Sequence, residues 1–180
     1  MMHMEKQRDP KRKSGLTFFC VLLWLLFLLC TGVILYLSFQ NGEDAKEVGK
    51  SFLTEAAQRY YHTNDLSEEV MTAFTYKVRQ GGRLLIFFVL GVLGTGAVHL
   101  TFRRIGWFFR MLISVLMLLG IAVFTERFKI YLPTRHFSSA EMMLSIYGAM
   151  LGFVFVSVIT LVFSLLSALF RFLFRKKDPD

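Results

Sequence analysis

The sequence predicts an all-α membrane protein, a four-helix transmembrane bundle with a short helical extracytoplasmic loop region. Three observations lead there. Of 180 residues, 54% are hydrophobic, Phe occurs 20 times and the mean hydropathy is +0.51. A water-soluble domain does not carry so apolar a chain. Four nearly uncharged stretches are long enough to span a bilayer as helices. Basic residues collect at the ends of those stretches, as they do beside spans. The net charge of +8 is therefore read as a cytoplasmic rim facing anionic lipid, and no nucleic-acid partner is expected.

Residues 1–15 carry Lys6, Arg8, Lys11, Arg12 and Lys13 and read as a basic cytoplasmic tail. The membrane domain covers 16–174, with spans at about 16–39, 84–102, 106–124 and 142–170, and 175–180 is a second cytoplasmic tail. Leu16 to Leu37 has no charge and would be about 33 Å long as a helix. It is too long for a signal-peptide core, so it is expected to stay in the mature protein. Cys20 and Cys30 lie within it, about 15 Å apart along a helix, and cannot bridge each other. No Cys/His spacing suggests a metal, and no cofactor is expected.

The loop at 40–83 is the only sizeable polar segment. Val48, Phe52, Ala56 and Tyr60 recur every four residues, as do Leu66, Val70, Phe74 and Val78. That period predicts two short amphipathic helices, broken at His62-Thr63-Asn64. Asp65, three residues before Glu68, starts the second. Gly91, Gly94 and Gly96 in the second span allow helices to approach closely. Arg110 stands one turn into the third span, where its head can snorkel outward. Ser157, Thr160, Ser164 and Ser167 form a small polar row suited to helix packing.

The stretch from Thr125 to Gly152 organises the rest. A charged loop interrupted by Pro133 runs into an apolar helix. Ser138 with Glu141 three later is a capping-box pair, which starts a helix at about Ser139. Glu141, Ser145, Gly148 and Gly152 then share one helix face. A carboxylate, a hydroxyl and two bare backbone positions line a groove against a neighbouring helix.

This stretch resembles the VanZ-like family of bacterial membrane proteins. That family shows an acidic pair before a Gln, then Pro-Gly-Arg, then an Asp, an Asn and two glycines at helical spacing. Glu126, Pro133, Arg135, Gly148 and Gly152 match outright. Thr125, Lys129, Thr134, Glu141 and Ser145 stand where the family has Asp, Gln, Gly, Asp and Asn. Ser38, Gln40 and Gly42 at the end of the first span, and Arg79 before the second, add to the likeness. Arg83 stands where the family carries a His, and Ile86-Phe87 where it has Glu-Tyr. The resemblance implies a role in the bacterial cell envelope and in teicoplanin-type glycopeptide resistance.

Twelve of the 21 Lys and Arg residues fall in the first tail, at Arg103, Arg104 and Arg110, and from Arg171 onward. The asymmetry predicts a multi-pass protein of the cell membrane with both termini in the cytoplasm. Arg79, Arg83, Glu126, Lys129, Arg135, Glu141 and Ser145 would then gather on the outer face as a net-basic ligand site, with Gly148 and Gly152 packing helices. A lipid phosphate, a cell-wall precursor carboxylate or a glycopeptide would be received there, with Arg135 as a bidentate clamp steadied by Glu126. Pairing of span ends is the plain structural alternative. Two further functions stay open: an accessory subunit of a transport or envelope complex, and an outer-leaflet enzyme. His136, Ser138, Ser139 and Glu141 hold the residue types of a hydrolytic triad, but a triad draws its members from different elements. No catalytic residue is assigned.

Overall fold

The computed structural model describes residues 10–39, 50–62, 67–131 and 138–174. Every regular element among them is helical. They are α1 (Pro10–Phe39), α2 (Lys50–Tyr61), α3 (Glu68–Thr101), α4 (Trp107–Arg127), a 3₁₀ turn (Phe128–Tyr131) and α5 (Ser139–Leu173). α1, α3, α4 and α5 are long and apolar enough to cross a membrane. "Top" below means the end of the bundle that holds the α1 C-terminus.

The second amphipathic helix and the second span are one element. α3 runs unbroken for 34 residues, which is about 51 Å of helix. No Pro lies between Glu68 and Thr101, so nothing removes a backbone donor. Gly81 and Gly82 weaken the middle by about 1 kcal/mol each but leave the hydrogen-bond ladder intact. The helix starts after Ser67, and Asp65 lies outside the described residues. The described start of the next connection, Thr125–Tyr131, is likewise more regular than a loop. Thr125 to Arg127 continue α4, and the 3₁₀ turn follows.

α2 packs against the top of α3 in a different phase from the one its periodicity suggests. Ala57 is its fully buried position, while Tyr60 is exposed. The Tyr60 and Tyr61 rings close over Phe74 instead, at 5.9 and 6.1 Å between centroids. His62 ends α2 in the left-handed region at φ 53°, so it is a turn residue. Val70 and Val78 are exposed.

α3 is the central helix, and α1, α4 and α5 all pack on it. Contact with α5 is backbone to backbone. A Cβ on Gly152 would strike the Phe88 carbonyl, and one on Gly91 the Ala149 carbonyl. A Cβ on Gly148 would come within 2.6 Å of the Leu84 carbonyl. Bare positions on both helices let the axes close in where any side chain would hold them apart. Gly94 makes room for the Phe27 ring of α1, whereas Gly96 meets only ordinary contact and permits no special approach. Phe27, Phe87, Leu90, Leu118, Ala122 and Ala149 form the core.

At the bottom, Trp24 Nε1 donates to Thr101 Oγ1 at 2.9 Å, which sets the height of α1 against α3. Ser157 is buried beside Met111 in the first turns of α4, its Oγ 3.3 Å from the Met111 sulfur. It is the member of its small polar row that packs between helices. Thr160 returns its hydroxyl to Val156 of its own helix. Beyond that height α5 continues to Leu173 with Phe163, Leu165, Leu166, Phe170 and Phe172 all exposed. Cys20 and Cys30 are both free thiols.

Candidate functional site

Four charged side chains from four elements meet at the top of the bundle. α3 delivers Arg83 at the point where its sequence turns apolar. The last turn of α4 delivers Glu126. The 3₁₀ turn tightens the backbone to about three residues per turn, which stacks Lys129 over Glu126. α5 delivers Glu141 in its first turn, where a carboxylate also meets the favourable end of the helix dipole.

The four charges alternate around a closed ring. Arg83 Nη1 donates to Glu126 Oε1 at 2.6 Å and pairs with Glu141 Oε2 at 2.8 Å. Lys129 Nζ donates to Glu126 Oε1 and Oε2 at 2.8 and 2.9 Å and to Glu141 Oε2 at 3.0 Å. Glu126 and Lys129 are each only 1% exposed, so both are taken fully out of solvent. Such burial costs several kcal/mol per ion and is sustained only when every charge is paired and hydrogen-bonded. Two cations and two carboxylates give that balance. The ring itself is therefore neutral, and Arg79 adds one positive charge to the described members of the expected cluster.

Glu141 is the hub. Its amide donates to Ser138 Oγ at 3.4 Å, which is the predicted cap. The carboxylate serves Lys129 and Arg83. Its backbone carbonyl accepts from Ser145 Oγ at 3.0 Å. Ser145 is fully buried on the face shared with Gly148 and Gly152, as its spacing predicts, and its hydroxyl serves the helix backbone. Ser138 is thus a cap, Ser139 is exposed, and His136 lies outside the described residues.

Arg135, which Glu126 was expected to steady, lies outside the described residues. The Glu126 carboxylate is held by Lys129 and Arg83, because the short spacing to Lys129 and the approach of α3 bring those two groups nearest. Pro133 and Gln40 also fall outside the described residues.

A cavity of about 450 Å³ opens beside the ring, between the top of α1, the middle of α3 and the start of α5. Its polar side holds Ser38, Tyr76, Arg79, Gln80, Arg83 and Glu141. Its apolar side holds Ile34, Leu37, Ile86, Phe87 and Leu144. Arg79 is exposed at the rim. Arg83 and Glu141 belong to both ring and cavity. Arg83 has five N–H donors, and its bonds among the described residues all run through Nη1. The edge formed by Nε and Nη2 is the one that matches a phosphate or carboxylate in two parallel bonds.

A second polar group lies near the bottom end of the bundle and carried no motif. His99 Nδ1 stands 3.0 Å from the Thr95 carbonyl, which only accepts, so Nδ1 carries the proton. Thr95 Oγ1, His99 Nε2 and Arg110 Nε are enclosed without a partner among the described residues. A His and an Arg inside apolar runs were the signal that could have marked this place.

No group of His, Cys, Asp or Glu among the described residues has the geometry to hold a metal. Comparison with protein-family models, with curated proteins and with solved structures gives no match.

Proposed function

We propose that this is a multi-pass protein of the bacterial cell membrane, with both termini in the cytoplasm and the top of the bundle outside. Its outer site receives an anionic group of an envelope component. The basic residues at the bottom connection, Arg103 and Arg104, support this orientation. The likeness of Glu126, Gly148 and Gly152 to the VanZ-like pattern supports a contribution to teicoplanin-type glycopeptide resistance.

The observation that carries the reading is the position of Arg83. One nitrogen is locked into a buried neutral ring while the residue also lines an open cavity. The ring holds the guanidinium in place before a ligand arrives, so little side-chain freedom remains to be lost on binding. The test is complementation. Deleting the gene is expected to raise teicoplanin susceptibility, and Arg83→Lys is expected to leave it raised at normal membrane abundance. Lysine keeps a charge for the two glutamates but has no fork. Full complementation by Arg83→Lys, or unchanged susceptibility on deletion, overturns the reading.

A second reading, as an accessory subunit of a membrane complex, is favoured by the lower third of α5. That segment leaves most of its large apolar side chains exposed, with only Ser164, Ser167 and Arg171 as polar residues among them. So wide an apolar surface is covered by lipid or by another protein. A stoichiometric partner that co-purifies with the wild type, and is lost when Phe163 and Phe170 are made Ser, would establish this role.

A further inference from the structure

We infer that the cavity takes the phosphate headgroup of a membrane lipid, which enters sideways between α1 and α5. The inference rests on the proposed anion site and narrows its ligand to an amphiphile. α1 and α5 each pack along α3, and they meet one another at most marginally among the described residues. The cavity occupies the gap between them at the top of the bundle.

Its lining is divided as a lipid is divided. Arg79, Gln80 and Arg83 stand on the side toward the polar end of α3. Ile34 and Phe87 stand a turn lower, where the flanking helices become apolar. A small soluble anion would satisfy the arginines and leave the apolar wall wet. A glycopeptide would overfill a space of about 450 Å³. A phosphodiester with its first chain carbons fits both halves, since apolar wall and hydrocarbon are then removed from water together.

Charge agrees with the same class. Two of the three ionised lining residues, Arg79 and Arg83, are cations, and the third is Glu141. Glu141 already faces Lys129 at 3.0 Å, which lowers its repulsion of an incoming anion. A phosphodiester carries a single negative charge. Its two free oxygens match the Nε and Nη2 edge of Arg83.

The test uses the purified full chain in a neutral detergent. The probes are short-chain phosphatidylglycerol, the matching diacylglycerol and glycerol phosphate, each followed by equilibrium binding. Saturable binding of phosphatidylglycerol is expected, at least tenfold tighter than either other probe. Arg79→Gln stands outside the buried ring and should weaken it about tenfold, the size of one charge-assisted hydrogen bond. Leu144→Trp fills the apolar half and should weaken phosphatidylglycerol without changing the thermal midpoint of the free protein. Glycerol phosphate binding as tightly as the lipid would overturn the lipid inference and spare the anion site. Diacylglycerol binding as tightly as phosphatidylglycerol would overturn both, as would no binding by any probe.

Discussion

Lys129 Nζ lies 2.8 and 2.9 Å from the two carboxylate oxygens of Glu126, three residues earlier, and neither side chain reaches solvent. This pair closes the top of the bundle. It joins α4 to the turn that follows, and through Glu141 it reaches α5. Ion pairing in such a place serves geometry before affinity. A charge removed from the ring leaves its partner buried and uncompensated.

Lys129→Met is therefore expected to cost about 3–5 kcal/mol. The double variant Glu126→Leu, Lys129→Met should recover much of that loss, because an apolar pair has no charge to desolvate. Unfolding of the detergent-solubilised protein by added denaturing detergent measures both. A double variant less stable than Lys129→Met alone would show that the ring contributes net stability.

Gly152→Ala is expected to destabilise the α3–α5 contact by about 1–3 kcal/mol, the usual cost of forcing atoms into a filled interface. The added methyl meets the Phe88 carbonyl, and backbone cannot rotate away. Gly120→Ala is the control, since nothing lies within 4 Å of its Cβ position. It should be neutral or stabilising by up to about 1 kcal/mol. A gain at Gly152 equal to that at Gly120 would mean that helix propensity, not close approach, decides the outcome.

Ser138→Ala should cost about 1 kcal/mol by removing the cap on the Glu141 amide. Ser139→Ala should change neither stability nor function, because Ser139 is exposed beside the cap. A variant at Ser139 that folds normally but loses activity would revive the hydrolytic reading.

The orientation is checked by labelling. In a background with Cys20 and Cys30 replaced by Ala, Arg79→Cys should react with an impermeant thiol reagent in intact cells. Arg104→Cys should react only after the membrane is opened. The reverse pattern would move the ring and its cavity to the cytoplasmic side.

Much of the fold was legible along the chain, because its signals are local. An uncharged run such as Leu16–Leu37 declares a long apolar helix through composition alone. Ser138 and Glu141 are three residues apart, and their cap forms within one turn. Gly148 and Gly152 reveal a contact face through helical spacing, although not which helix fills it. The break expected between the polar half of α3 and its apolar half did not form. A change of polarity alters what surrounds a helix, not its backbone, and no residue there interrupts the ladder.

What the chain order could not supply was pairing. Arg83 and Glu126 are 43 residues apart, and charges carry no periodicity that names a partner. Their joint presence at one end of the bundle follows from helix length and polarity. Their cancellation into a buried neutral ring follows only from the close approach of α3, α4 and α5. Ion pairing acts over a few ångströms, so a shift of one helix by a single turn would have matched different charges.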